Sequence, residues 1–356
     1  MLSKNFNKVD INTCTFSKTV LMIIIVLYHS ILFFSNTWFD AVEPVTTSKV
    51  LSFFASWLNS FHVYGFVLIS GYLFYYLRYE KNKYQEYKPF ILNKFKRLII
   101  PYLFVLILWV IPNYVYFYGF DFKTILKNYI LGVSPNQLWF LLMLFFVFAI
   151  FWLLSDFIKN HNLIGGITMI VLFFVSILFG RFITNYFQIW TVLQCLTFFY
   201  LGFIFRDKAK IVIESIPFFL WIIADIVLFI VLKNMPTEGI IFKAIYIGIS
   251  YILNIVGAIM AFTTLSFIGS RLNILNSKLI NNLSSISMSI YLFHQQVIYW
   301  FIYLLNGKLN IYIHASIIFI GSFLISFLIS VLLKTNRITS FLIGEKWTLN
   351  KTKNFD

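Results

Sequence analysis

Charge is scarce in this sequence. Asp, Glu, Lys and Arg together make up 12% of 356 residues, and the acidic pair supplies only 13 of them against 28 Lys and Arg. So little charge cannot cover the surface of a soluble protein, because a water-facing surface needs ionic groups at roughly twice that frequency. Cysteine is scarcer still. Cys14, in the N-terminal tail, and Cys195, inside an apolar run, are the only two, which excludes a disulfide framework and a cysteine-based metal site. No His/Cys/Asp/Glu spacing typical of a metal site is present, and there is no internal repeat and no low-complexity stretch. A secondary transporter built from two echoing halves is thereby disfavoured.

What remains is apolar: 60% hydrophobic and 21% aromatic residues. Runs of about 18 or more apolar residues recur along the whole chain, the signature of membrane-spanning helices. The runs are continuous rather than alternating, which excludes a transmembrane β-barrel. The expected fold is an all-α polytopic membrane helix bundle of ten spans, near 16–36, 50–77, 98–118, 137–155, 163–183, 188–205, 212–232, 240–267, 285–305 and 312–333. The second contains a polar patch, His62 to Gly71, and the long eighth is expected to tilt or break. Residues 1–333 then form one transmembrane domain and 334–356 a short basic tail.

Orientation follows from the positive-inside bias. With the N-terminus in the cytoplasm, 21 of the 28 Lys and Arg fall in cytoplasmic segments or at their helix ends. Both termini are therefore expected inside. The net charge of +15 needs no nucleic acid, since this bias and anionic lipid headgroups account for it.

Few ionisable residues lie within the spans, and each is a candidate site residue because burial in hydrocarbon is costly. His29 lies eleven residues beyond Lys18 in FSKTVLMIIIVLYHSILFF, about three helical turns, so the two share a stripe about 16 Å apart along the axis. A neutral imidazole at mid-depth suits a general base. His62, in NSFHVYGFVLISGY, and His294, in SISMSIYLFHQQ, are further candidates. So is Asp225, in WIIADIVLFIV, whose partner must come from another helix. His314 is expected at the outer interface and His161 in a solvated inner loop. In KFKRLIIPY, Lys94 and Arg97 are three residues apart on one helix face, and such a pair either anchors the helix at the membrane surface or holds adjacent phosphates. Cations at the inner face and a base half a membrane deeper would suit a ligand that is polyanionic at one end and reactive at the other, as a coenzyme A thioester is.

Five stretches then resemble a known family in order and spacing: the first helix ending in YHS at His29 and Ser30, FHVYGFVLISGYLF from Phe61, KFKRLIIPY from Lys94, QLWFLLMLFF from Gln137 and SISMSIYLFHQQVIY from Ser285. The chain resembles the acyltransferase 3 family of integral membrane acyltransferases, which modify bacterial surface glycans. The resemblance implies that His29 is the catalytic base and that Lys94 and Arg97 help to hold acetyl-CoA. The family typically has Arg where Lys18 stands and Arg-x-x-Arg where Lys94-x-x-Arg97 stands, so charge is kept at both points while the planar fork of one guanidinium is lost at each.

The expectation is thus a multi-pass protein of the bacterial cytoplasmic membrane. It would move an acyl group, acetyl above all, from cytoplasmic acyl-CoA to a hydroxyl of a cell-surface or lipid-linked polysaccharide, without a metal and in company with membrane lipids and other polysaccharide-biosynthesis proteins. The rival expectations are a transporter or flippase for a glycan or lipid-linked precursor, and a structural subunit of a polysaccharide synthase.

Overall fold

Apolar runs with few prolines become helices here because a helix satisfies its backbone N–H and C=O groups within itself, which hydrocarbon requires. The computed structural model describes residues 9, 11–35, 38–207, 216–236, 238–271 and 278–345, without the side chains of residues 278 and 279. Among these residues every regular element is helical. The long helices are α1 (Ile11–Ser35), α2 (Lys49–Glu80), α3 (Tyr87–Tyr118), α4 (Asn136–Asn160), α5 (Asn162–Phe179), α6 (Tyr186–Asp207), α7 (Phe218–Lys233), α8 (Ile240–Arg271), α9 (Lys278–Leu305) and α10 (Ile311–Lys334), followed by a short α11 (Arg337–Leu342). They occupy the ten expected positions. Eight are long and apolar enough to cross a membrane. The other two are α7, only 16 residues long, and α9, diluted by its Asn, Ser, His and Gln residues.

The inter-helix contacts sort into two ends. At one end Arg78 pairs with Asp156 at 2.6 Å, Arg206 with Glu80 at 2.6 Å, and Lys334 donates to Ser285 Oγ at 2.8 Å. At the other, Asn306 donates to the Glu43 carbonyl at 2.7 Å, Phe187 N–H to the Leu131 carbonyl at 2.8 Å, and Lys233 to Ser56 Oγ at 3.0 Å. An alternating ten-helix path demands this division, and the first end carries the basic loops. Of the cations that set the expected orientation, Lys4, Lys8, Lys208, Lys210, Lys346, Lys351 and Lys353 lie outside the described residues.

Several local expectations change. Cys14 is not in a tail but in the first turns of α1, and it is buried. Helix α2 is broken at Ser60 and Phe61, so His62 opens its second half, His62–Tyr75. The eighth helix is not broken; its 32 residues extend about 48 Å, so it tilts or projects from a ~30 Å hydrocarbon layer. His314 is buried against Phe34, with ring centroids 5.3 Å apart, rather than interfacial.

Helix α3 contains two widened turns, Phe95–Ile99 and Leu106–Val110. Pro101 and Pro112 explain them. Each proline lacks the N–H that would bond the carbonyl four residues earlier, at Arg97 and Leu108, and each of those residues lies inside a widened turn. The tightest helix contact joins α2 and α6. A Cβ on Gly71 would stand 1.9 Å from the Phe199 carbonyl oxygen, and one on Gly202 would stand 1.8 Å from that of Leu68. Glycine on both faces lets the backbones touch, which is how helices gain packing energy where lipid supplies no hydrophobic drive.

Candidate active site

His29 and His294 meet across the α1–α9 contact, with His29 Nδ1 2.8 Å from His294 Nε2. Their protonation follows from the third partner. His294 Nδ1 lies 2.7 Å from the Tyr291 carbonyl, which can only accept, so this nitrogen carries the proton. Neutral His294 therefore accepts at Nε2, and His29 Nδ1–H must donate. Neutral His29 is left with a bare Nε2, for which no described residue supplies a partner. Its lone pair is the one group of the dyad free to take a proton from a ligand.

The dyad is held by a polar lock at the start of α4. Gln137 Nε2 donates to the Leu292 carbonyl and to Gln296 Oε1, both at 2.7 Å, and Gln296 Nε2 donates back to Gln137 Oε1 at 3.1 Å. The Tyr291 hydroxyl donates to the Gln137 carbonyl. These bonds pin the turn of α9 whose Tyr291 carbonyl fixes the His294 tautomer. Trp38 lies flat on the His29 ring, 5.3 Å between centroids and 15° between planes. An indole face there stabilises the imidazolium that forms when His29 gains a proton.

A cavity of about 360 Å³ opens beside His29, with His62, Trp38, Gln137, Tyr291 and Tyr299 among its walls. His62 donates from Nδ1 to the Leu58 carbonyl at 2.6 Å, across the break in α2, so its Nε2 is also the bare nitrogen. Asp225 does not line this cavity. It is fully buried elsewhere, where Oδ2 accepts from the Trp57 indole at 2.8 Å and Oδ1 has no partner among the described residues. Trp57 is thus the partner that the sequence left open.

The cations assemble nearer the basic end. Lys18 on α1 and Lys94 and Arg97 on α3 lie close enough to repel one another. Lys94 Nζ sits 3.7 Å from the Phe148 ring centroid and within 5.5 Å of those of Tyr84 and Phe90, while Lys18 Nζ is 4.9 Å from that of Phe66. Among the described residues no carboxylate forms an ion pair with any of the three. Arg78 and Arg206 are the contrast: both are buried and each is consumed by a carboxylate. Phe66 meets Phe140 edge to face at 5.2 Å, and Phe140 is a wall of the His29 cavity. Two rings, Phe66 and Phe140, thus link Lys18 to the cavity wall.

Sequence reading singled out His29, His62, His294, Lys18, Lys94 and Arg97; the structure puts His29 and His62 on the cavity wall, His294 buried behind His29, and the three cations in a separate corner. It missed Trp38, which stands outside the helix and gave no signal beyond an apolar flank. It also missed the role of Gln137, a buried amide ahead of a long apolar run, which was the available clue. No curated protein and no solved structure matches the chain. A family model described as an acyltransferase domain matches residues 15–334, a range that holds all of these residues, and the chain therefore belongs to the acyltransferase 3 family as a multi-pass membrane acyltransferase.

Proposed function

We propose that this protein is an O-acyltransferase of the bacterial cytoplasmic membrane, moving an acetyl group from cytoplasmic acetyl-CoA to a hydroxyl of a cell-surface or lipid-linked polysaccharide. The observation that carries the reading is the bare Nε2 of His29 beside a cavity, with three cations nearer the basic end that form no carboxylate ion pair among the described residues. Those cations suit the phosphates of a CoA ester: Arg97 offers a planar fork and Lys18 and Lys94 point charges. His29 Nε2 takes the proton of the acceptor hydroxyl as its oxygen bonds to the acyl carbon. The carbon–sulfur bond breaks, and His29 returns the proton to the departing sulfur. The products are an ester and a free thiol, and the base is regenerated. His294 holds His29 in the reactive tautomer throughout, and Trp38 shelters the transient imidazolium.

Purified protein in nanodiscs, given acetyl-CoA and a panel of glycans, should release thiol. His29→Ala should lower that release on the order of 10²–10⁴-fold, as loss of a general base does, with unchanged thermal unfolding. Turnover at the wild-type rate in the variant would remove the mechanism. Lys94→Gln with Arg97→Gln should weaken CoA binding at least tenfold, and unaltered binding would remove their role.

A further inference from the structure

The His29 cavity continues into a second one. A space of about 310 Å³, lined by Val133, Ser134, Asn136, Trp139, Gln188 and Thr191, shares Ser134, Asn136 and Trp139 with the first. It lies at the end of the bundle away from the basic loops, where the segment before α4 meets the start of α6. Each space falls in the size range of small-ligand sites, roughly 300–1,000 Å³.

The rim is constructed. Gln188, buried at the start of α6, donates from Nε2 to the Gly132 carbonyl at 2.7 Å and to the Val133 carbonyl at 2.9 Å. Its Oε1 accepts from Thr191 Oγ1 at 3.0 Å and from Asn185 Nδ2 at 3.3 Å. Nε2 thus joins the two loops, while Oε1 is held by residues of its own segment. Asn136, Phe187 and Gln188 hold left-handed backbone, with φ of 49°, 51° and 60°, a conformation that Asn adopts readily and that is uncommon in Phe and Gln.

The lining has a definite chemistry. Among the described residues no Asp, Glu, Lys or Arg faces either space. Ser134 Oγ, the Trp139 indole N–H and the Asn59 amide make no hydrogen bond to a described residue, so neutral donors and acceptors stand ready for a ligand. Trp139 walls both spaces, and Phe140 meets it edge-on at 6.0 Å. A carboxylate or phosphate brought here would lose its water without gaining a cation, which is costly. A hydroxyl-rich ring could lay its C–H face on the indole and share its hydroxyls with Ser134 and Asn59.

We propose that this vestibule is the acceptor subsite, that Trp139 is its stacking platform, and that it selects an uncharged sugar residue over an anionic one. The name acceptor rests on the acyltransferase reading; the binding of a neutral sugar does not. The test is therefore equilibrium binding without donor. Wild-type protein in nanodiscs is titrated with neutral oligosaccharides of hexoses and N-acetylhexosamines and with a size-matched oligogalacturonate. Saturable binding of a neutral member, at least tenfold tighter than the galacturonate, is expected. Trp139→Ala should weaken it at least tenfold and Trp139→Phe by much less. Ser134→Trp, at an exposed rim position, should block it without altering thermal unfolding, which covers the case that Trp139→Ala fails to fold. Equal or tighter binding of the galacturonate, no saturable binding of any neutral oligosaccharide, or full binding in Ser134→Trp would overturn the proposal. Neutral-sugar binding without His29-dependent thiol release would overturn the acyltransferase reading alone, whereas thiol release without such binding would overturn the vestibule alone.

Discussion

Nδ1 of His29 and Nε2 of His294 lie 2.8 Å apart although 265 residues separate them in the chain. The contact makes His294 a positioning residue: it touches the base, and the Tyr291 carbonyl dictates its tautomer. His294→Ala should free His29 to rotate and to populate the wrong tautomer. Misplacing a reacting group by about 1 Å costs roughly 100-fold in rate. That loss should appear in kcat, with the KM for acetyl-CoA nearly unchanged. A loss confined to KM would place His294 in donor binding instead.

Trp38 supplies a face to the same ring. A desolvated cation–π contact contributes about 2 kcal/mol, so Trp38→Leu should slow turnover by roughly 30-fold and Trp38→Phe by less. A Leu variant as fast as the Phe variant would reduce Trp38 to packing.

Gly71 and Gly202 test the scaffold rather than the chemistry. A methyl at either position would meet a backbone carbonyl oxygen at less than 2 Å, and backbone cannot yield as a side chain does. Gly71→Ala should destabilise by about 1–3 kcal/mol or more, read as a lower midpoint of thermal unfolding in detergent. Gly248→Ala, where a Cβ meets open space, is the control that should leave the midpoint unchanged.

Glu345 gives a pH dependence. It follows α11, accepts from Ser289 Oγ at 3.0 Å, and burial raises its pKa above the ordinary carboxylate value. A group whose folded pKa is raised stabilises the fold below its unfolded pKa, about 4.3, and loses that contribution as pH rises through the folded value. The docking of Gly344 against Pro101 and the Arg97 carbonyl should therefore loosen as pH rises above the usual carboxylate range. Glu345→Gln should remove this dependence, measured by hydrogen exchange at residues 337–345 across a pH series. An unchanged pH profile in the variant would assign the effect to another group.

The helices were legible because lipid leaves the backbone so few options: an apolar run long enough to span must be a helix. The ends of α2 and α3 were less so. The break before His62 carries no proline, and the widened turns of α3 arise from bonds that Pro101 and Pro112 cannot make. His29 was legible as a titratable ring in an apolar run, and the cations as a cluster at a helix start. Asp225 looked like a site residue by the same logic, yet it is bonded to Trp57 and stands outside the cavity.

The sequence by itself determined that this chain is a helical membrane protein, in which order its spans run, and which few polar side chains hydrocarbon would not tolerate without a purpose. Those are properties of local composition, and composition is all that lipid reads. Only the tertiary structure decided which of those side chains meet: His29 with His294 and Trp38, Gln137 with Gln296, Asp225 with Trp57, and Lys18 with Lys94 and Arg97. Such pairings join residues on different helices, and they depend on the rotation and depth of each helix in the bundle. Close contacts such as Gly71 on Phe199 fix both, and no local run of sequence encodes them.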